Sequence, residues 1–127
     1  MLEISNTTKQ SPISKKSDFV VMSEKILGKK YDLSLVFVGE KKAKQINQEY
    51  RNKSYVPNIL SFPLSDSEGE IFICLKNIKK ECKDFEMTPH QYEIFLFIHG
   101  CLHLKGLDHG SEMEKLEKKF IKIFFPK

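Results

Sequence analysis

The sequence predicts an α+β domain: a small mixed β-sheet packed on helices, with one central buried helix. Three observations lead there. Segments with helical apolar spacing interleave with short runs of β-branched and aromatic residues. The segment from Pro89 carries Tyr92, Phe95, Leu96, Ile98 and Leu102, apolar nearly all round, as a helix buried on every side would be. Finally, 127 residues are enough for one core but not for two, and no repeat, linker or low-complexity stretch divides them, so residues 1–127 read as a single domain.

Leu2 to Ser5 is the first short strand. Ser14 to Lys29 reads as a helix with Phe19, Met22, Ile26 and Leu27 at helical spacing, and Gly28 stops it. Leu33 to Val38 is a strand. Glu40 to Tyr50 is a helix with Ala43, Ile46 and Tyr50 inward and lysines outward, followed by a polar loop from Arg51 to Pro57. Ile59 to Phe62 and Gly69 to Leu75 form a hairpin joined by a loose turn over Pro63 to Glu68. Asn77 to Phe85 is a short basic helix. Thr88-Pro89-His90-Gln91 then opens the central helix: threonine caps, proline takes the first helical position, and glutamine sits at the capping-box place. Ser111 and Glu114 form a second capping box that opens a last helix ending at Phe124.

A composition of 40% hydrophobic and 30% charged residues is that of a globular protein and excludes a disordered one. The longest apolar run is Ile94 to Ile98 and Met1 to Pro12 has no apolar core, so neither a membrane span nor a secretion signal is expected, and the protein is placed in the cytoplasm. Three cysteines with no C-x-x-C spacing read as reduced thiols. A net charge of +4 mildly favours an anionic partner such as RNA.

The chemistry concentrates in His99 to His109, which holds three of the four histidines. His99 and His103 stand at i and i+4, so on a helix their rings share one face. Gly106 can take the left-handed conformation that ends a helix, and a reversal there brings His109 round to the same ion. Three neutral imidazoles with one open position make a catalytic rather than a structural zinc-type site. The metzincin proteases place H-E-x-x-H-x-x-G-x-x-H at the same offsets with the glutamate as general base. Gly100 stands where that glutamate would be, so a peptidase of that type would lack its base and another substrate is indicated. Asp108 either orients an imidazole or caps the turn. His90, outside the motif, is expected to be exposed. Arg51, at a helix end before a loop, can hold a phosphate in a forked geometry or lie on the solvated surface. Asn58 and Ser61 either line a cleft or satisfy backbone groups.

Taken together, H-G-x-L-H-L-x-G-x-D-H at His99 to His109, N-x-x-Y-R at Asn47 to Arg51, N-I-L-S-F-P at Asn58 to Pro63 and G-E-I-x-I-C at Gly69 to Cys74 resemble the YbeY family of rRNA-maturation endoribonucleases. The resemblance implies an α+β fold and a metal-dependent endoribonuclease specific for single-stranded RNA. It implies action on the 16S rRNA precursor, in 3′-end maturation and ribosome quality control, in company with ribosomal subunits. Carried over, His99, His103 and His109 are the metal ligands and Arg51 the basic residue of the active cleft. The family usually has Pro-Thr before the Asn58 run, where Val56-Pro57 stands here, and Gly69-Glu70-Ile71 replaces its G-D-I.

The expected cofactor is one zinc ion, with nickel as the alternative, because three imidazoles suit both. In the expected reaction a metal-bound hydroxide attacks the phosphodiester while Arg51 holds the phosphate, with a phosphate oxygen, Asp108 or a second water left as candidates to take the proton. The rival readings are a non-enzymatic ribosome assembly factor whose metal is structural, and a metal hydrolase of some other anionic substrate.

Overall fold

Strand residues here alternate between two unequal partners, and that alternation sorts the helices. The structure, a computed structural model, describes residues 1–126. The strands β1 (Leu2–Asn6), β2 (Asp32–Val38), β3 (Ile59–Ser65) and β4 (Glu68–Cys74) form one sheet in the order β1-β2-β4-β3. β1, β2 and β4 are parallel, and β3 runs antiparallel to β4 on the edge. Leu33, Leu35, Phe37, Ile71 and Ile73 point to the main core, which the helices α1 (Lys16–Leu27), α4 (Pro89–Leu104) and α5 (Ser111–Phe124) complete. Val36, Val38, Phe72 and Cys74 point to the other face and meet Ala43 of α2 (Glu40–Arg51). The fold is therefore a small mixed sheet packed on helices, as expected.

α4 lies across the main face. Phe97 sits edge-on to Phe19 at 5.0 Å, and Phe19 meets Phe37 at 5.9 Å, so one aromatic cluster joins α4, α1 and β2. Ile94, Ile98, Cys101 and Leu102 are wholly buried. The start of α4 is closed as the sequence implies: Thr88 Oγ1 accepts from the Gln91 N–H at 3.1 Å, and Gln91 Oε1 accepts from the Thr88 N–H at 3.0 Å. Glu93, also buried in α4, accepts the backbone N–H groups of Ile13 and Ser14 at 3.0 and 2.7 Å. Those bonds satisfy a carboxylate that would be costly to bury alone, and they tie the segment before α1 to the central helix.

Five local expectations are corrected. β3 runs on to Ser65 and β4 begins at Glu68, so Asp66-Ser67 alone make the turn, and Pro63 lies inside a strand beside a register shift. An edge strand tolerates proline because an N–H facing outward has no ladder partner to lose. Tyr50 is 70% exposed rather than inward, with its ring on Phe62 at 5.5 Å. The segment after β4 splits into a single α-turn, α3 (Ile78–Glu81), and a 3-10 turn, Cys82–Phe85. Gly110, not Ser111, holds the cap position of α5, and no side chain caps it. His90 is half-buried against Phe124 and Phe125 and lies 3.6 Å from Asp18 Oδ2.

Candidate metal centre and cleft

The last turns of α4 carry His99 and His103, both half-buried. Beyond Leu104 the chain reverses. Gly106 donates to the His103 carbonyl at 3.0 Å and Leu107 to the Leu102 carbonyl at 3.1 Å, with Gly106 at φ +103°. An added Cβ there would meet nothing within 4 Å, so the position calls for glycine through its backbone angle alone. The reversal brings His109 onto the same spot. The three ring centroids are 4.6, 5.0 and 4.9 Å apart, nearly an equilateral triangle, and one ligand atom from each residue lies within 4.8 Å of the others.

These donors fit a metal ion. Glu117 Oε2 of α5 stands 2.5 Å from His99 Nδ1. A carboxylate at that distance accepts a hydrogen bond from the Nδ1–H, which keeps the proton there and leaves the Nε2 lone pair turned to the cleft. His99 Nε2 and His103 Nε2 are 3.2 Å apart. Two imidazole nitrogens on a tetrahedral ion, with bonds of about 2.0–2.1 Å, would be about 3.3 Å apart. Burial, then the neighbouring His99 and His109, push the His103 pKa down, while the Leu107 backbone and Asp108 pull the other way. A lowered pKa keeps that ring neutral near pH 7, the form a ligand needs.

Arg51 is the last residue of α2, and the chain around it is pinned. Asn47 is fully buried and its Nδ2 donates to the Tyr55 carbonyl at 3.1 Å. Asn52 follows in the left-handed conformation, with its N–H on the Gln48 carbonyl at 3.1 Å. This fixed helix end sets Arg51, exposed, on a cleft of about 490 Å³ whose wall also holds Tyr55, Ser61 and all three histidines. A wider lobe of about 620 Å³ continues past Arg51, His99 and His109 toward Asn58, Phe85, Tyr92 and Phe95. Asn58 Nδ2 donates to Glu81 Oε2, which also accepts from the Tyr92 hydroxyl at 3.4 Å. Burial first, and the Glu81 charge next, push the Tyr92 pKa up to about 12.

Two site features lay outside the sequence reading. Asp108 is exposed and, among the described residues, hydrogen-bonds no imidazole, whereas Glu117, 7% exposed, does. A signal for Glu117 existed: it sits four residues after Met113 and three before Phe120, a carboxylate on the apolar stripe of α5. Gly100 has its own packing reason. A Cβ there would come within 2.9 Å of Ile59 Cδ1 and 3.0 Å of Ile71 Cδ1, so position 100 faces the sheet and lets α4 lie close on it.

A mixed sheet bearing a buried helix, with three imidazoles gathered at its end beside an arginine-lined cleft, defines an α+β protein with a candidate three-histidine metal centre. The family model for Endoribonuclease YbeY matches residues 2–124, and the chain belongs to that family. Similar proteins, each named Endoribonuclease YbeY, include one from Mesoplasma florum, 36% identical over 74% of this chain and 62% of its own length. One from Neisseria meningitidis serogroup B is 33% identical over 96% of this chain and 82% of its own length. The chain thus spans less than two thirds of the first of these relatives. A solution structure from Thermotoga maritima is similar with a TM-score of 0.66 at 26% identity, over 99% of this chain and 90% of that one. Among the described residues no helix is long and apolar enough to cross a membrane.

Proposed function

We propose that residues 1–127 act as one catalytic domain, a metal-dependent endoribonuclease that hydrolyses single-stranded RNA in the cytoplasm. Its substrate in this reading is the 16S rRNA precursor on ribosomal subunits. The observation that carries the proposal is the convergence of His99, His103, His109 and Arg51 on one cleft in a chain of this family. Three unpaired, buried cysteines suit a reducing compartment.

His99, His103 and His109 hold the ion, zinc in this proposal and nickel as the alternative. The chemistry such an ion supplies is Lewis acidity, which makes water a nucleophile near neutral pH and offsets charge developing at phosphorus. Arg51 binds the scissile phosphate with two of its N–H groups and holds it against the histidines. Glu117 keeps the His99 proton on Nδ1, which fixes ring orientation and raises ligand basicity. The fourth histidine, His90, is engaged near Asp18, Phe124 and Phe125 at the far end of α4. No imidazole outside the ligand set therefore stands in the cleft to deprotonate a ribose 2′-hydroxyl, so water attacks phosphorus and the products carry 5′-phosphate and 3′-hydroxyl ends.

Metal-replete protein incubated with single-stranded RNA tests this. Arg51→Ala should lower the rate roughly 10²-fold, as loss of one charge-stabilising donor does, with metal content and fold unchanged. Cyclic phosphate termini, or Arg51→Ala cleaving at the wild-type rate, would refute it.

A further inference from the structure

The end of the wider lobe away from Arg51 and the histidines has no part in the chemistry above. One side of its wall is a file of planar rings, Phe85, Tyr92 and Phe95. Phe85 ends the 3-10 turn Cys82–Phe85, which Glu86 closes in the left-handed conformation, and the residue is 50% exposed. That ring stacks on Tyr92 at 5.1 Å and 26°, and lies 5.9 Å from Phe95. Tyr92 and Phe95 are nearly parallel, 6.2 Å apart at 18°. Phe95 in turn is 6.3 Å from the His99 imidazole. A large apolar ring half open inside a concave lobe leaves an aromatic face in water, where it remains available to a partner that is itself flat and apolar on its faces.

Resting on the nuclease reading, we propose that this wall is a base-stacking subsite, with Phe85 receiving one unpaired nucleobase of the RNA strand. Three features select that occupant. The wall is continuous with the phosphate corner, because Arg51, Tyr55, His99 and His109 border both lobes. Phe85 stands two ring spacings from His99, so a base stacked on it belongs to a nucleotide neighbouring the one held by Arg51. Lys118 borders the same lobe, beside Glu114 and Glu117, and supplies a cation for the flanking backbone. Stacking is tolerant of sequence, since every base presents a π-face, and a base paired in a duplex cannot reach the wall. The subsite is therefore a source of single-strand preference.

Binding is read apart from cleavage. A fluorescein-labelled, phosphorothioate-linked single-stranded RNA octamer, which resists hydrolysis, is titrated with the metal-loaded protein and followed by anisotropy, so a failure of the nuclease reading leaves this measurement intact. Phe85→Ala should weaken binding roughly 10- to 100-fold, the usual effect of removing one stacking partner. Phe85→Leu keeps apolar packing on Tyr92 and Phe95 and should weaken binding by nearly as much, while Phe85→Trp should bind like wild type. An octamer lacking its bases should bind wild type as weakly as it binds Phe85→Leu. Wild-type affinity in Phe85→Leu with unchanged thermal stability would overturn the subsite and leave the lobe to another occupant, such as a protein. Failure of wild type to bind the octamer would overturn it too.

Discussion

Replacing Glu117 by glutamine keeps the length of the side chain and removes its charge. Glutamine's carbonyl can still accept the His99 Nδ1 hydrogen, so ring orientation survives while the anionic pull that makes Nε2 a stronger donor is lost. Alanine removes both. The contact is short, 2.5 Å, and Glu117 is only 7% exposed, so water cannot easily take its place. Losing a carboxylate that holds a ligand imidazole typically weakens metal binding 10- to 100-fold, about 1.4–2.8 kcal/mol. Glu117→Gln should fall near the lower figure and Glu117→Ala near the upper. Zinc affinity by competition with a chromophoric chelator measures both, with far-UV circular dichroism of the metal-free proteins as the folding control. Affinity within about twofold of wild type in both variants would refute the orienting role.

Three further outcomes are expected. Gly106→Ala should destabilise the protein by about 1–2 kcal/mol, because φ +103° penalises a Cβ, and should weaken zinc binding by displacing His109; equal melting temperature and affinity would contradict it. Gly100→Glu should not create a peptidase but should destabilise the fold, since the side chain would be driven into Ile59 and Ile71; casein cleavage by a stably folded variant would refute that. Alkali should destabilise the chain progressively. Burial pushes the Cys101 and Cys74 thiols up, and burial first also raises Tyr31 and Tyr92. Above about pH 8.5 the unfolded thiols lose protons that the folded ones keep, so the stability present below that pH declines as pH rises, with the tyrosines adding from about pH 10. A melting temperature that is flat from pH 8 to 10.5, or rapid labelling of native Cys101 by a thiol reagent, would contradict this.

What could be read from the sequence was what local physics determines. The Thr88 cap, the i, i+4 pair His99 and His103, and the Gly106 reversal each depend on a few neighbouring residues, and the structure has all three. Features set by distant partners were not readable. Pro63 sits in a strand because β3 is an edge, and edges are decided by the strand order, in which β4 inserts between β2 and β3. Tyr50 meets the helical spacing of Ala43 and Ile46 but lies in the last turn of α2, where its ring meets Phe62 of the edge strand and stays 70% exposed. Glu117 stands on the apolar stripe of α5, which marks it among that helix's three glutamates, but only the docking of α5 on α4 gives it His99 as a partner.

The edge position of β3 has a consequence for crowded solution. An uncovered strand edge is a template on which a second copy can lengthen the sheet, the first step toward ordered aggregates. Pro63 brings no N–H to such a pairing, and the irregularity between Pro63 and Ser65 breaks the register a partner strand would need. Only the short stretch from Ile59 to Phe62 stays regular, and Ile59, Leu60 and Ser61 also form part of the cleft wall. Pro63, which interrupts this ladder, lines the cleft too, so the part of β3 beside the histidines is also the part least suited to pairing with another strand.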